Sequence, residues 1–176
     1  MKKTMNPKRI YAHCYKLLEN KTPLSIDCGK LCNAACCEDG ELEEAGMYLF
    51  PFEDMMYSKM PKWLRIDESY FSYGEDDYCA SIAICKGKCN RTMRPLACRI
   101  FPLSPYLTTD GELRIVVDPR AKAVCPLAKC YKLTDFEPGF VKRVEYIFKV
   151  LIEEKHVYNF VEALSELMDE VDGFLK

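Results

Sequence analysis

The chain has 176 residues, of which 49% are hydrophobic and 12% aromatic, enough apolar side chain to close a core and too much for wholesale disorder. Its 25 basic and 27 acidic residues leave a formal charge of -2, so no global field draws in nucleic acid or an anionic membrane, and neither is expected as a partner. The anomaly is 11 cysteines beside two histidines.

Compartment decides how those thiols are read. Residues 1–15 begin with Lys2 and Lys3, but Asn6, Pro7, Lys8 and Arg9 break any apolar stretch, so no secretory signal is expected. No stretch approaches the roughly 20 apolar residues of a membrane span. A cytoplasmic chain is expected, and there reduced thiols in groups point to metal binding or catalysis rather than to a disulfide framework.

In chain order, Asn6 and Pro7 predict a helix start, with Ile10, Tyr11, Cys14, Leu17 and Leu18 at helical spacing and 20–23 ending it. Residues 47–50 read as a short extended run, and Pro51 leads into a short helix over 52–59 with Glu53 and Asp54 in its first turn. Strands are predicted over 65–73, 103–108 and 112–117, the last two joined by the hairpin signal Asp110-Gly111. Pro102, Pro105 and Pro119 keep the strands short or at edges. The tail carries two helical stripes: Phe136, Phe140, Val141, Val144, Ile147, Phe148 and Leu151, then Val157, Phe160, Val161, Leu164, Leu167, Met168 and Val171. The expected fold is one α+β domain over 1–176. It divides into an N-terminal helix over 1–24, a cysteine-rich region with a small, mostly antiparallel sheet and metal-bearing loops over 25–132, and an antiparallel helix pair over 133–176. The helix pair is expected to pack as core, with a homodimer or other protein interface as the alternative use of its stripes.

Nine cysteines fall into three groups: Cys28, Cys32, Cys36 and Cys37; Cys85, Cys89 and Cys98; Cys125 and Cys130. All nine are candidate metal ligands. Residues three or four apart share a helical face, so C-x3-C-x3-C-C lets thiolates converge from one short segment loosened by Gly29 and Gly40. Soft thiolates select zinc, copper(I) or iron-sulfur centres over magnesium or calcium. The adjacent Cys36 and Cys37 are expected to point apart, serving two metals or leaving one to pack. In the tight turn 85–89, Lys86 and Lys88 would offset thiolate charge, as would Arg91, Arg94 and Arg99. Nine thiols suffice for two four-thiolate sites, or for an iron-sulfur centre and a zinc. Cys14 and Cys79 read as buried apolar side chains.

The run Cys28-x3-Cys32-x3-Cys36-Cys37, followed by Cys89 and Arg94-Pro95-Leu96-Ala97-Cys98-Arg99-Ile100-Phe101-Pro102, resembles the cysteine-cluster family of zinc- or iron-chelating proteins, the YkgJ type. The segment from Tyr48 to Asp54 is also similar to the strand and helix that follow the paired cysteines in that family. The resemblance spans residues 27–102, and the interval from Cys89 to Cys98 is about one residue tighter than the family pattern. It implies metal binding by Cys28, Cys32, Cys36 or Cys37, Cys89 and Cys98, and implies no reaction. The flagellin lysine N-methylases, associated with an iron-sulfur centre and S-adenosylmethionine, have a similar cluster; this chain is shorter and shows no glycine-rich nucleotide loop.

The remaining chemistry is sparse. His13 and His156 read as surface or satisfied histidines, the run Glu38, Asp39, Glu41, Glu43 and Glu44 as solvated surface, and Trp63, Tyr70, Phe71, Tyr73 and Tyr78 as packing for the sheet. The leading expectation is a metal-binding protein holding zinc or iron, with the centre mainly structural. The alternatives are an iron-sulfur redox or group-transfer enzyme of methyltransferase type, a metal carrier or store, and a thiol redox sensor.

Overall fold

Asn6 opens the first helix: its side chain accepts the Lys8 N–H at 3.0 Å, Pro7 occupies a position where no backbone donor is needed, and α1 runs over Pro7–Leu17. The computed structural model describes residues 6–37, 46–86 and 89–174. The acidic run from Glu38 to Glu44, and Gly40 and Lys88, lie outside the described residues. Tyr11, Cys14 and Tyr15 form the buried face of α1, so Cys14 is a core side chain as its helical position predicts.

After α1 come single 3-10 turns over Cys28–Lys30 and Ala35–Cys37 and a two-residue strand, β1 (Met47–Tyr48). The helix expected over 52–59 is a shorter 3-10 turn, Glu53–Tyr57, entered through Phe52 at φ 67°. Two long strands follow, β2 (Leu64–Tyr73) and β3 (Tyr78–Cys85), in a sheet of order β1-β3-β2 with every pairing antiparallel. The sequence reading stops at Gly74 and misses β3. Its buried residues, Ala80 and Ala83, lie on opposite faces in two separate clusters and are too small to make an apolar stripe. Cys79, expected to be buried, faces solvent opposite Ser72, because strand alternation gives the inward position to Ala80. Phe71 stacks on Tyr48 and Tyr73 meets Phe160 edge-on, whereas Tyr70 stands in solvent.

Helix α2 (Leu96–Ile100) precedes the hairpin of β4 (Leu103–Leu107) and β5 (Leu113–Val117), which turns through Gly111 at φ 78° as its Asp-Gly signal predicts. The strands therefore form two antiparallel sheets rather than one. Helices α3 (Pro126–Cys130), α4 (Pro138–Leu151) and α5 (Lys155–Phe174) complete the α+β architecture.

The apolar stripes of the tail are buried within the chain: Phe140, Val144, Ile147, Phe148 and Leu151 from α4, and Val157, Phe160, Val161, Leu164 and Met168 from α5. Each such side chain removed from water contributes on the order of 1.5–3 kcal/mol. Phe50 sits between the two helices, 4.9 Å from the Phe148 ring and 5.3 Å from that of Phe160. Ser165 fixes α5 to the hairpin by accepting the Leu107 N–H at 2.9 Å. Among the described residues no helix is long and apolar enough to cross a membrane.

Candidate thiolate metal site

Asp27 organises the first cysteine segment. Its Oδ1 accepts the Gly29 N–H at 3.2 Å and its Oδ2 pairs with the Arg91 guanidinium, tying the turn that bears Cys28 to the turn before α2. Asn33 and Ala34 then take left-handed backbone, at φ 52° and 56°, and reverse the chain between Cys32 and Cys36. The C-x3-C-x3-C-C spacing therefore does not lie on one helical face. Two single 3-10 turns carry it, and the left-handed pair between them costs ~1–2 kcal/mol per residue.

Opposite this loop, Pro95 precedes α2, which carries Cys98 and Arg99. Its position is set from inside the core. Glu53, 0% exposed, accepts the Leu96 N–H at 2.5 Å, the Tyr15 hydroxyl at 2.7 Å and the Phe50 N–H at 3.1 Å. Tyr57 extends the network, donating to the Met93 carbonyl at 3.0 Å and meeting Tyr15 at 3.1 Å. Arg99 lies over the Tyr15 ring at 4.1 Å and donates to the carbonyls of Arg94 at 2.8 Å and Thr92 at 2.7 Å, which holds the segment before Cys98 in a fixed path.

A cavity of about 340 Å³ lies between these parts, and Cys28, Cys32, Cys36, Cys98 and Cys125 all line it, together with Arg91, Arg94 and Arg99. Cys36 and Cys37, expected to diverge, have their sulfurs 3.9 Å apart, because the reversal at Asn33 and Ala34 leaves them on a short free-standing turn rather than in a regular helix. Cys37 and Cys89 are within hydrogen-bonding reach of each other. Arg94 donates from Nε to Cys89 Sγ at 2.9 Å and directs Nη2 to Cys37 Sγ at 3.8 Å. Seven of the nine candidate ligands thus converge. Cys85 and Cys130 are not in the cavity wall: Cys85 is held opposite Leu64 at the end of β3, and Cys130 is exposed at the end of α3. Lys86 is exposed on the same strand end. His13 is exposed and His156 packs edge-on against Phe52 and Tyr78, as the sequence suggests for both.

Electrostatics separate the thiols. Burial pushes Cys98 up to about 12, with the charge of Arg94 working against that rise. Burial also raises Cys28, which feels Cys32, Asp27 and Cys125. Donation from Cys37 lowers Cys36, while the same contact raises Cys37. Cys89 is held high, chiefly by its contact with Cys37 and then by burial, against the pull of Arg94. Each of these thiols must lose its proton to act as a ligand, and Arg94 is the cation that favours that loss.

The donor set fits a soft metal. Tetrahedral zinc-thiolate bonds of ~2.3 Å place neighbouring sulfurs roughly 3.8 Å apart, and the Cys36-Cys37 separation of 3.9 Å matches such an edge. Among the described residues the thiols are gathered in pairs, and no three ligating side chains already stand round one point. None of the eleven cysteines is in a disulfide. No family model, curated protein or solved structure matches this chain.

Sequence reasoning missed Asp27 and Glu53 as organisers of the site. Asp27 had a local signal, a side-chain acceptor two residues before Gly29. Glu53 had only a short-range contact, with the Phe50 N–H three residues back, since its other partners Tyr15 and Leu96 are 38 and 43 positions away.

Proposed function

We propose that this chain is a metal-binding protein that holds zinc or iron through cysteine thiolates, drawn from Cys28, Cys32, Cys36, Cys37, Cys89, Cys98 and Cys125. The observation that carries this reading is the convergence of five thiols on one cavity from three separate segments, with the Cys37-Cys89 pair beside Arg94. A cluster of thiols and arginines with few regular backbone hydrogen bonds is a poor core by itself, and metal binding supplies folding free energy to such a segment. The centre is therefore first of all structural, tying the loop of Cys28–Cys37 to α2 and α3. The similarity of the cysteine pattern to the chelating family supports the same reading, and eleven cysteines outside any disulfide suit a reducing compartment such as the cytoplasm.

The test is elemental analysis with a visible spectrum on protein purified without oxygen. Zinc without colour, or iron with a sulfur-to-iron absorption band, is expected at a fixed ratio to the chain. Fully reduced, folded protein that carries neither metal and takes up neither on titration would overturn the reading.

A further inference from the structure

A second cavity lies where the two sheets meet. The β1-β3-β2 sheet and the β4-β5 hairpin stay separate, and between them is a space of about 350 Å³ that, among the described residues, no cysteine lines. Small side chains keep it open: Ala97 on α2, Ser104 on β4 and Ala121 in the turn over Pro119–Ala123 stand in its wall, where larger residues would close it. Protein interiors are packed about as densely as organic crystals, and voids larger than a water molecule are few. A space of this size, at the lower end of the ~300–1,000 Å³ of ligand pockets, is therefore built into the fold. The rest of its wall is mainly apolar, with Ile82 from β3, Ile100 from α2, and Phe160 and Leu164 from α5.

One corner of this cavity is polar. Asp118, 6% exposed, accepts the Arg120 backbone N–H at 2.9 Å, its Nε–H at 3.0 Å and its Nη2–H at 2.6 Å. The carboxylate is thus nearly filled and the guanidinium is not. Of its five N–H donors, those of Nη1 and the second of Nη2 meet no acceptor among the described residues. Beside it Ser104, 4% exposed, has its hydroxyl held by donation to the Pro105 carbonyl at 3.3 Å. The corner therefore has donors to spare and, as a closed ion pair, no net charge. We propose that the cavity binds a small uncharged molecule with an apolar body, whose carbonyl oxygen accepts from Arg120 and Ser104. A carbonyl satisfies the spare donors. A carboxylate would carry a charge out of water toward a pair that is already neutral, and a hydrocarbon would displace water from the donors without replacing it.

The probe is prodan, an uncharged naphthyl ketone whose emission moves to the blue in apolar surroundings, titrated into the reduced full chain. Saturable binding at about one equivalent is expected. Ile82→Trp fills the cavity from β3 and should weaken that binding by roughly 10-fold or more. Circular dichroism checks the fold of the variant, and Ala97→Leu, which fills the cavity from α2, takes its place if the tryptophan prevents folding. Three competitors of one shape then read the polar corner: acetylnaphthalene should displace prodan best, with ethylnaphthalene and naphthoate weaker by about 3–10-fold, the worth of a hydrogen bond. Arg120→Lys keeps a charge opposite Asp118 but loses the planar fork, and should bring acetylnaphthalene down to the level of ethylnaphthalene. Absence of saturable binding, or prodan affinity unchanged in the filled variant, would overturn the site. Naphthoate as the strongest competitor would overturn the uncharged ligand, and ethylnaphthalene equal to acetylnaphthalene in the native chain would overturn the part assigned to Arg120 and Ser104.

Discussion

The carboxylate of Glu53 accepts the backbone N–H of Leu96 at 2.5 Å inside the core, and so fixes the first turn of the helix that carries Cys98. The same carboxylate holds Tyr15 of α1 and the backbone of Phe50 beside β1. A short helix of five residues has little cooperativity to hold itself together. Its position relative to the cysteine loop is therefore imposed by this acid.

Glu53→Ala strands the N–H groups of Phe50 and Leu96 and frees the Tyr15 hydroxyl. At about 1–3 kcal/mol for each buried donor left unpaired, the loss is expected to exceed 3 kcal/mol. Glu53→Gln keeps one oxygen for Leu96 and Tyr15 but turns an amide donor toward the Phe50 N–H, so about 1–3 kcal/mol is expected. Urea unfolding of both variants in one metal state checks the order. Equal stability of native chain and Glu53→Ala would remove Glu53 from its place as the anchor of α2.

Burial pushes the Glu53 carboxyl up from 4.5 to about 7, outweighing the hydrogen bonds from Tyr15, Leu96 and Phe50 that favour its charge. The folded chain thus holds this proton more tightly than the unfolded one. The stability it contributes is complete below pH 4.5 and is lost as pH rises through 7, an effect on the order of 3 kcal/mol for a shift of this size. The difference in unfolding free energy between native chain and Glu53→Gln, followed across that interval, should change in favour of the glutamine form as pH rises. A difference that stays flat would show that the carboxyl is ionised throughout.

The parts of this protein that were legible in its sequence are those with local signals. Asn6-Pro7 gave the start of α1, Asp110-Gly111 the hairpin, and the two tail stripes α4 and α5. β3 was missed because Ala80 and Ala83 are its buried side chains, and small residues leave a weak alternation. At the site, grouping by spacing named the thiols but not all of their neighbours in space. Cys89 is adjacent in sequence to Cys85 and in space to Cys37, while Cys125 leaves Cys130 outside and joins Cys28. Those pairings are set by the path of β3, by α2 held on Glu53, and by the turn over Pro119–Ala123 that delivers α3, none of which is encoded near the cysteines themselves.

Cysteine positions outside the site should separate cleanly from those within it. Cys14, 2% exposed in α1, is packed among apolar side chains, so Cys14→Ser buries a hydroxyl in place of a thiol and is expected to cost about 1–3 kcal/mol. Cys79 faces solvent on β3, and Cys79→Ser should change stability by less than ~0.5 kcal/mol. Both should retain the full metal content of the native chain, measured by elemental analysis after gel filtration. Metal lost from Cys79→Ser would mean that β3 supplies a ligand.

Arg94 gives the sharpest test of how the thiols are charged. Its Nε and Nη2 face Cys89 and Cys37 together; burial disfavours its charge, yet the neighbouring sulfurs hold its proton more firmly than usual. Removing the guanidinium in Arg94→Met leaves two thiols to ionise in a half-buried setting with no adjacent cation, so protons compete better with the metal. Loss of such a supporting residue typically weakens metal binding by 10–100-fold, and that is the change expected here. Arg94→Lys restores a charge, but a single ammonium cannot span both sulfurs as the planar fork does, so it should recover only part of the affinity. Competition against a chromophoric chelator at several pH values resolves the two contributions: the pH of half-loading should move upward in the methionine variant and stay near the native value in the lysine variant. Native affinity in Arg94→Met would mean that the arginine braces the loop by its carbonyl contact with Arg99 alone and has no part in holding thiolate charge.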